Sequence, residues 1–375
     1  MVSKVISKMI QKIFTRQTFC FFRYPFFIVF LTLTITSCVS DSKTSGEITK
    51  EPEKPTMRFI ESNGIRMRIA EMGEGPLVVL IHGWPESWYS WRHQIPYLAK
   101  NGYRVVAPDM RGFGESDAPE QVEEYDILQL TSDVVGILDA LNENTAIVVG
   151  HDWGANIAWD CALLHPERFS AVITLANPYH GRDSGSNPPM ENHKKTVEEN
   201  FDYMLYFQEP EIAEAEFDAD PQAILSRIYA TISSNVPRED PEVTDSKRDA
   251  GGLIPRIGKP KKLPDWFKQQ DLDYYVKEYE RAGFRGGVNY YRNIDRNWRL
   301  MTNWAGKKLQ QPFLFIAGAN DHNLWGADKK QLNDQFGSST KDFSGVVLIP
   351  RAAHFVNQSK PEKTNRLILN FLKSL

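Results

Sequence analysis

The sequence has three cysteines, Cys20, Cys38 and Cys161, no internal repeat, no apolar run of membrane-spanning length and no strong excess of charge. Each absence excludes something. The longest early apolar stretch, residues 26–35, falls short of the roughly 20 residues that a spanning helix needs. A formal net charge of -4 gives no polyanion-binding signature, so nucleic acid is not an expected partner. What is there is a chain of 375 residues, 41% hydrophobic and 12% aromatic. That is ample for one large α/β domain carrying a sizeable insertion.

The first segment is set apart before any fold is considered. Lys4, Lys8, Lys12, Arg16 and Arg23 are the charges of residues 1–37, and the short apolar run leads into Ile35-Thr36-Ser37-Cys38. Basic residues, a short apolar core and small residues make a secretory signal. The tetrad resembles the bacterial lipobox, which implies lipidation of Cys38 as the new N-terminus; an uncleaved anchor is the alternative. Loss of residues 1–37 removes five cations and no acid, taking the formal charge from -4 to -9. Such a surface does not adhere to anionic lipid, so membrane attachment is expected only through the acyl chains at Cys38. Cys161 is then left alone, no intramolecular disulfide can form, and stability must come from the core. Residues 38–55, rich in Ser, Thr, Glu and Lys, read as a flexible tether. The expected location is the bacterial cell envelope.

Further on, residues 57–70 alternate apolar and polar and predict a hairpin around Asn63-Gly64. Residues 77–81, 105–107, 147–150 and 171–175 are apolar runs of the kind that a strand buried on both faces requires. Helical patterns at 90–100, 128–141 and 154–164 separate them, giving βαβ units and a mostly parallel sheet covered on both faces. The rhythm stops over residues 179–304, which are aromatic, polar and helical, and resumes with strands at 313–317 and 346–349 and helices at 328–336 and 362–375. The economical description is a core at residues 56–178 and 305–375 interrupted by a helical cap at 179–304. Residues 251–264, rich in Gly, Pro, Lys and Arg, predict a mobile loop within that cap.

Three strand-to-loop junctions carry the chemistry. Gly150-His151-Asp152-Trp153-Gly154 ends one strand and opens a helix, the form of a nucleophile elbow with Asp in the usual place of Ser. Taken alone, Asp152 could equally be a helix cap. Asp321 and His354 each follow a late strand, so Asp, Asp and His arrive in the order of an α/β-hydrolase triad. The loop His82-Gly83-Trp84-Pro85 follows the early strand that supplies one oxyanion-hole donor in this fold. The expected donors are the backbone N–H groups of Trp84 and Trp153. His82, Pro85 and Phe207 are expected around the substrate, His82 chiefly as a structural hydrogen-bonder.

An aspartate nucleophile changes the reaction. On an acyl carbon it would form an anhydride, whereas on an sp3 carbon it displaces a leaving group and forms an alkyl ester. Water activated by His354 and oriented by Asp321 then cleaves that ester at the carbonyl carbon of Asp152. No metal or organic cofactor is required. An epoxide oxygen leaves as an alkoxide and needs a donor, which the phenols of the cap can supply while protonated at neutral pH.

HGWPESWYSWRHQ, DMRGFGESDAP, VGHDWG, FDYMLYFQEP and GFRGGVNYYRN resemble motifs of the soluble epoxide hydrolase family, over roughly residues 57–375. The resemblance implies an α/β-hydrolase core with an inserted cap, hydrolysis of an ether bond in a small epoxide, and Tyr203 and Tyr291 as the pair that grips the epoxide oxygen. Two departures stand out: Trp84 where the family more often has Phe, and Phe355 after the base where Trp is frequent. A haloalkane dehalogenase is the main alternative, and a non-catalytic surface binding protein the other; the latter predicts a broken triad, and none is visible. The aromatic cap predicts a bulky apolar or aryl substrate.

Overall fold

The computed structural model describes residues 54–182, 185–233 and 235–375. The expected signal segment, Cys38 and nearly all of the tether lie outside the described residues. The first strands are β1 (Thr56–Ser62), β2 (Ile65–Met72) and β3 (Leu77–Ile81). Then come α1 (Gln94–Lys100), β4 (Arg104–Pro108), α2 (Ile127–Ala140), β5 (Ala146–His151), α3 (Trp153–Leu164) and β6 (Phe169–Leu175). Seven cap helices follow among the described residues: α4 (Pro189–Val197), α5 (Tyr203–Tyr206), α6 (Ile212–Ala219), α7 (Pro221–Thr231), α8 (Gln269–Ala282), α9 (Arg285–Arg292) and α10 (Ile294–Leu300). The core closes with β7 (Leu309–Gly318), α11 (Lys329–Ser339), β8 (Thr340–Ile349), α12 (Val356–Ser359) and α13 (Pro361–Leu372).

The strands form one sheet in the order β1-β2-β4-β3-β5-β6-β7-β8. The hairpin β1–β2 and the β2–β4 pair are antiparallel; every later pair is parallel. Side chains of β3 alternate between two apolar layers: Leu77, Val79 and Ile81 join one, Val78 and Leu80 the other. Period-two alternation onto two covered faces is why this strand reads as an unbroken apolar run. Helices α2, α3 and α11 cover the first face, through residues such as Val134, Ile157 and Phe336. The second face is covered by α1 and α13, through Leu98, Ile368 and Phe371.

Winding reverses at β3, which pairs with β4 on one side and β5 on the other. Such a switch point opens a crevice at the carboxyl ends of the strands. Ile81 lies opposite Gly150, so the loop after β3 and the elbow after β5 emerge side by side. Gly318 lies opposite Ile349, which brings the ends of β7 and β8 together in the same way.

The cap is fastened to this rim by aromatic hydroxyls and one buried cation. Tyr229 donates to the Pro85 carbonyl at 3.2 Å, and Tyr290 to the Arg111 carbonyl at 3.1 Å. Arg68 of β2 pairs with Glu278 of α8. The start of α9 comes closest. A Cβ on Gly286 would sit 2.5 Å from the Gly112 backbone, and one on Gly287 would sit 2.5 Å from the Trp84 ring. Both contacts are closer than a side chain tolerates, so only glycine lets α9 settle over the oxyanion loop.

Two expectations are corrected. Residues 90–100 are not one helix: a short 3-10 turn at Trp88–Trp91 precedes α1. A helix running through from residue 90 would set the Pro96 ring against the carbonyl four residues earlier; in the first turn of α1 that restriction is harmless. Residues 251–264 are pinned within the cap. Glu216 accepts from the N–H groups of Leu253 and Ile254, both at 2.9 Å, while Arg227 donates to the carbonyls of Ile254 and Ile257 at 2.8 Å.

Candidate active site

Asp152 stands between β5 and α3 with φ 53° and ψ -119°, a region that non-glycine residues rarely enter. That conformation costs on the order of 1–3 kcal/mol and persists only where the surroundings impose it. The flanking glycines are part of the imposition. A Cβ on Gly150 would meet the Gly154 carbonyl oxygen at 1.9 Å, and one on Gly154 the Ile81 oxygen at 2.1 Å. The turn is therefore closed to any larger residue at either position.

Asp152 does not cap α3 with its side chain. Its carboxylate is engaged elsewhere. The Trp84 backbone N–H donates to Oδ1 at 2.9 Å, and His354 Nε2 lies 3.4 Å from Oδ2. On its other side, His354 Nδ1 is 3.3 Å from each oxygen of Asp321. Asp321 also accepts from the Asn323 N–H at 3.0 Å, which fixes its orientation. Trp153 is the first residue of α3, so its N–H is a helix-start donor without an intrahelical acceptor. Trp84-Pro85 is cis. The ring edge of Trp84 lies against Gly287, so it is the main chain of this residue that reaches the nucleophile.

Protonation follows from these distances. Burial pushes the Asp152 carboxyl up, but His354 and the Trp84 N–H outweigh it and hold the group below its ordinary value. Burial likewise opposes charge on His354, yet the two flanking carboxylates, Asp321 and Asp152, raise it to about 10. The free site is thus an imidazolium between two carboxylates.

Tyr203 opens α5 and Tyr291 lies on α9, with ring centroids 6.0 Å apart. The Gln208 amide donates to the carbonyls of Met204 and Tyr291, at 2.9 and 3.1 Å, and so ties the two blocks together. Phe207, fully buried, packs against Tyr291 at 4.9 Å, Trp84 at 5.2 Å and Tyr203 at 5.5 Å. Burial first, and the Asp152 charge second, push both phenols up, so they stay protonated donors. Pro85 is buried, with its carbonyl taken by Tyr229. His82 faces the main chain: Nε2 accepts from the Met110 N–H at 3.1 Å and Nδ1 lies 2.9 Å from the Gly83 oxygen. It braces the oxyanion loop and has no nitrogen left for substrate.

Comparison with known proteins bears on this arrangement. Residues 76–361 match the α/β-hydrolase fold family. Epoxide hydrolase A of Mycobacterium tuberculosis is 42% identical over 325 residues, covering 86% of this chain and 98% of that protein. Epoxide hydrolase 3 of Siraitia grosvenorii is 37% identical over 315 residues, covering 84% and 96%. The crystal structure of Epoxide Hydrolase A from Mycobacterium thermoresistibile superposes with a TM-score of 0.77 at 42% identity, over 85% of this chain and 98% of that one. The chain belongs to the epoxide hydrolase family.

The motif reading passed over several groups of this epoxide hydrolase site. Glu86 accepts from the Gly83 N–H at 2.9 Å, from Gln358 at 2.9 Å, and lies 2.8 Å from His151 Nδ1. His151 Nε2 in turn lies 3.0 Å from the His354 carbonyl. Burial pushes the Glu86 carboxyl up, but His151 and the Gly83 N–H leave it lowered overall. One buried acid thereby links the oxyanion loop, the elbow and the loop of the base. Both residues stand inside motifs quoted above, HGWPE and GHDWG, which was the signal available. His322, beside the acid, is the other omission; its ring centroid is 5.3 Å from that of His354. Burial and the His354 cation hold it down to about 4, so it is neutral at physiological pH. Asp321, His322 and His354 offer donor atoms within 4.8 Å of one another. A metal ion there would take the nitrogens and oxygens that the triad uses.

Proposed function

We propose that this chain hydrolyses epoxides to vicinal diols through an ester on Asp152. The observation that carries the reading is the division of labour between the two oxygens of that carboxylate. Oδ1 receives the Trp84 N–H and Oδ2 faces His354. Oδ2 attacks a ring carbon, the C–O bond of the epoxide breaks, and Tyr203 or Tyr291 passes its proton to the departing oxygen. With Asp152 esterified, His354 gives up its proton, which restores the phenol through solvent. Neutral His354 then takes a proton from water as that water adds to the Asp152 carbonyl carbon. Negative charge develops on Oδ1, where the Trp84 N–H already points; one such donor contributes about 3 kcal/mol to this step. Collapse breaks the bond to Oδ2, releases the diol and returns a carboxylate and an imidazolium.

The phenols separate this reading from halide displacement, which needs no proton. Tyr203→Phe/Tyr291→Phe is expected to lower styrene oxide turnover at least a hundredfold, general acid assistance contributing about 10² to 10⁴. Each single variant should keep partial activity. No diol from the wild type, together with halide release from a bromoalkane that survives loss of both phenols, would transfer the chain to the dehalogenase reading. Bulky apolar or aryl epoxides suit the aromatic walls at Phe207, Trp84 and Trp153.

The basic and apolar residues ahead of Cys38 support export and lipid attachment at that cysteine, giving an enzyme tethered to the bacterial cell envelope. Mass spectrometry of the membrane fraction should find Cys38 diacylated as the first residue. A polypeptide continuing ahead of Cys38 is the result that sinks this.

A further inference from the structure

A cavity of about 220 Å³ is bordered by Trp153, Asn156 and Asp160 of α3, by Tyr179, and by Ile294 and Trp298 of the cap. It shares Trp153 with the site described above, and the ester chemistry uses none of its other residues. Asn156 and Asp160 follow Asp152 by four and eight positions, so they share one helical stripe with it. At the helical rise they lie roughly 6 and 12 Å along the axis from the nucleophile.

The far end of that stripe is chemically unusual. Asp160 is 1% exposed and accepts from the Tyr179 hydroxyl through Oδ2 at 2.8 Å, whereas Oδ1 has no partner. Trp159 Nε1, also buried and unpartnered, lies 3.2 Å from where a side chain on Gly181 would begin, and Gly181 is itself part of the wall. Buried polar atoms are almost always satisfied, so the orphan acceptor on Asp160, a residue of the wall, points to a group that the cavity would hold. Burial pushes the Asp160 carboxyl up to about 7, only partly offset by Tyr179. Near neutrality it can therefore accept or donate. The apolar lining at Ile127, Ile294 and Met301 suits a neutral occupant, and Asp160 disfavours an anionic one. A hydroxyl group, donor and acceptor at once, meets these constraints, and Ile294, Trp298 and Trp153 suit an apolar chain leading to it.

We propose that this cavity is a second substrate subsite, in which Asp160 binds a hydroxyl carried on an apolar substituent roughly 12 Å from the epoxide ring. The proposal rests on the epoxide hydrolase reading and narrows its substrate class to hydroxylated, medium-length epoxides. Asp160 acts here as a specificity residue, remote from the reacting atoms.

The test compares kcat/KM for three epoxides: a terminal alkyl epoxide with an ω-hydroxyl at that reach, its methyl-ended isostere, and styrene oxide, which is too short to span the cavity. The wild type should favour the hydroxylated epoxide over the isostere by about tenfold, the size of one net hydrogen bond with its desolvation. Asp160→Leu should erase that preference and leave styrene oxide turnover unchanged. Asp160→Asn, which keeps an acceptor and a donor, should retain most of it. Equal turnover of the matched pair by the wild type, with no differential effect of either variant, overturns the subsite and leaves ordered water only as the partner of Asp160. If Asp160→Leu loses styrene oxide turnover as well, it has damaged the fold, and the wild-type preference and Asp160→Asn decide. Absence of diol from all three epoxides with the wild type overturns epoxide hydrolysis itself, a distinct outcome.

Discussion

Asp152→Ala is expected to abolish diol formation, a loss on the order of 10⁴-fold or more, as for other nucleophiles whose removal disables a whole constellation. The variant should fold, because the elbow is imposed by the tight passage of Gly150 and Gly154 and not by a side-chain cap from Asp152. An isotope experiment on the wild type tests the same step from the other side. With enzyme in excess over epoxide in ¹⁸O-enriched water, the single diol released should carry an unlabelled oxygen, Oδ2 of Asp152. The heavy atom should remain in the peptide that contains this residue. Label in the diol on the first turnover would mean that water attacks the ring directly. His354 would then be the primary base, and the place of Oδ2 beside it would need another explanation.

The parts of this site that could be read in the sequence are those that lie at strand ends. Strands β3, β5 and β6 are buried on both faces, so their apolar runs stand out and the residues after them are easily placed. The junctions at 82–85 and 150–154 follow directly from that, and those at 318–321 and 349–354 follow the short apolar runs that close β7 and β8. Strand β8 begins at Thr340, six residues before the expected start at 346, because it forms the sheet edge and most of its early residues are exposed or half-buried. Exposure removes the apolar run that would mark it. In β7 the apolar run is broken by exposed Gln310, by Pro312 and by Gln311, which is buried because its amide donates to the carbonyls of Ala162 and Pro166. The Glu86 network escaped for a different reason. Its members acquire a role only by meeting, and Glu86 and Gln358 are 272 residues apart in the chain. No spacing rule reaches across that distance. The cap helices were visible as a change of texture, but the seating of α9 depends on two glycine contacts with residues of the core, which only a folded chain displays.

His354→Gln is the second variant with a large expected effect, and it differs from Asp152→Ala in kind. Asp152 keeps the Trp84 N–H and both phenols keep their protons, so the ring-opening step survives while ester hydrolysis stops. Steady-state diol formation should fall on the order of 10⁴-fold, and the protein mass should rise by that of one epoxide, located on Asp152. The wild type should show a graded version of this behaviour with pH. In the free site Asp321 and Asp152 together hold His354 at about 10, against the opposing effect of burial. Esterification neutralises Asp152, removes one of those two charges and lets the imidazole pKa fall, so a base appears just when one is needed. Acid suppresses the second step alone. Below the ester-state pKa of His354 the imidazole stays protonated and cannot take a proton from water. Asp152, held below the ordinary carboxylate value, still ionises and still attacks. Rapid quenching should therefore recover more alkylated enzyme in mild acid than at neutrality, and in His354→Gln the yield should be high at both. Equal ester at both pH values in the wild type would show that His354 does not control the second step. No ester in His354→Gln would show that it is needed for the first.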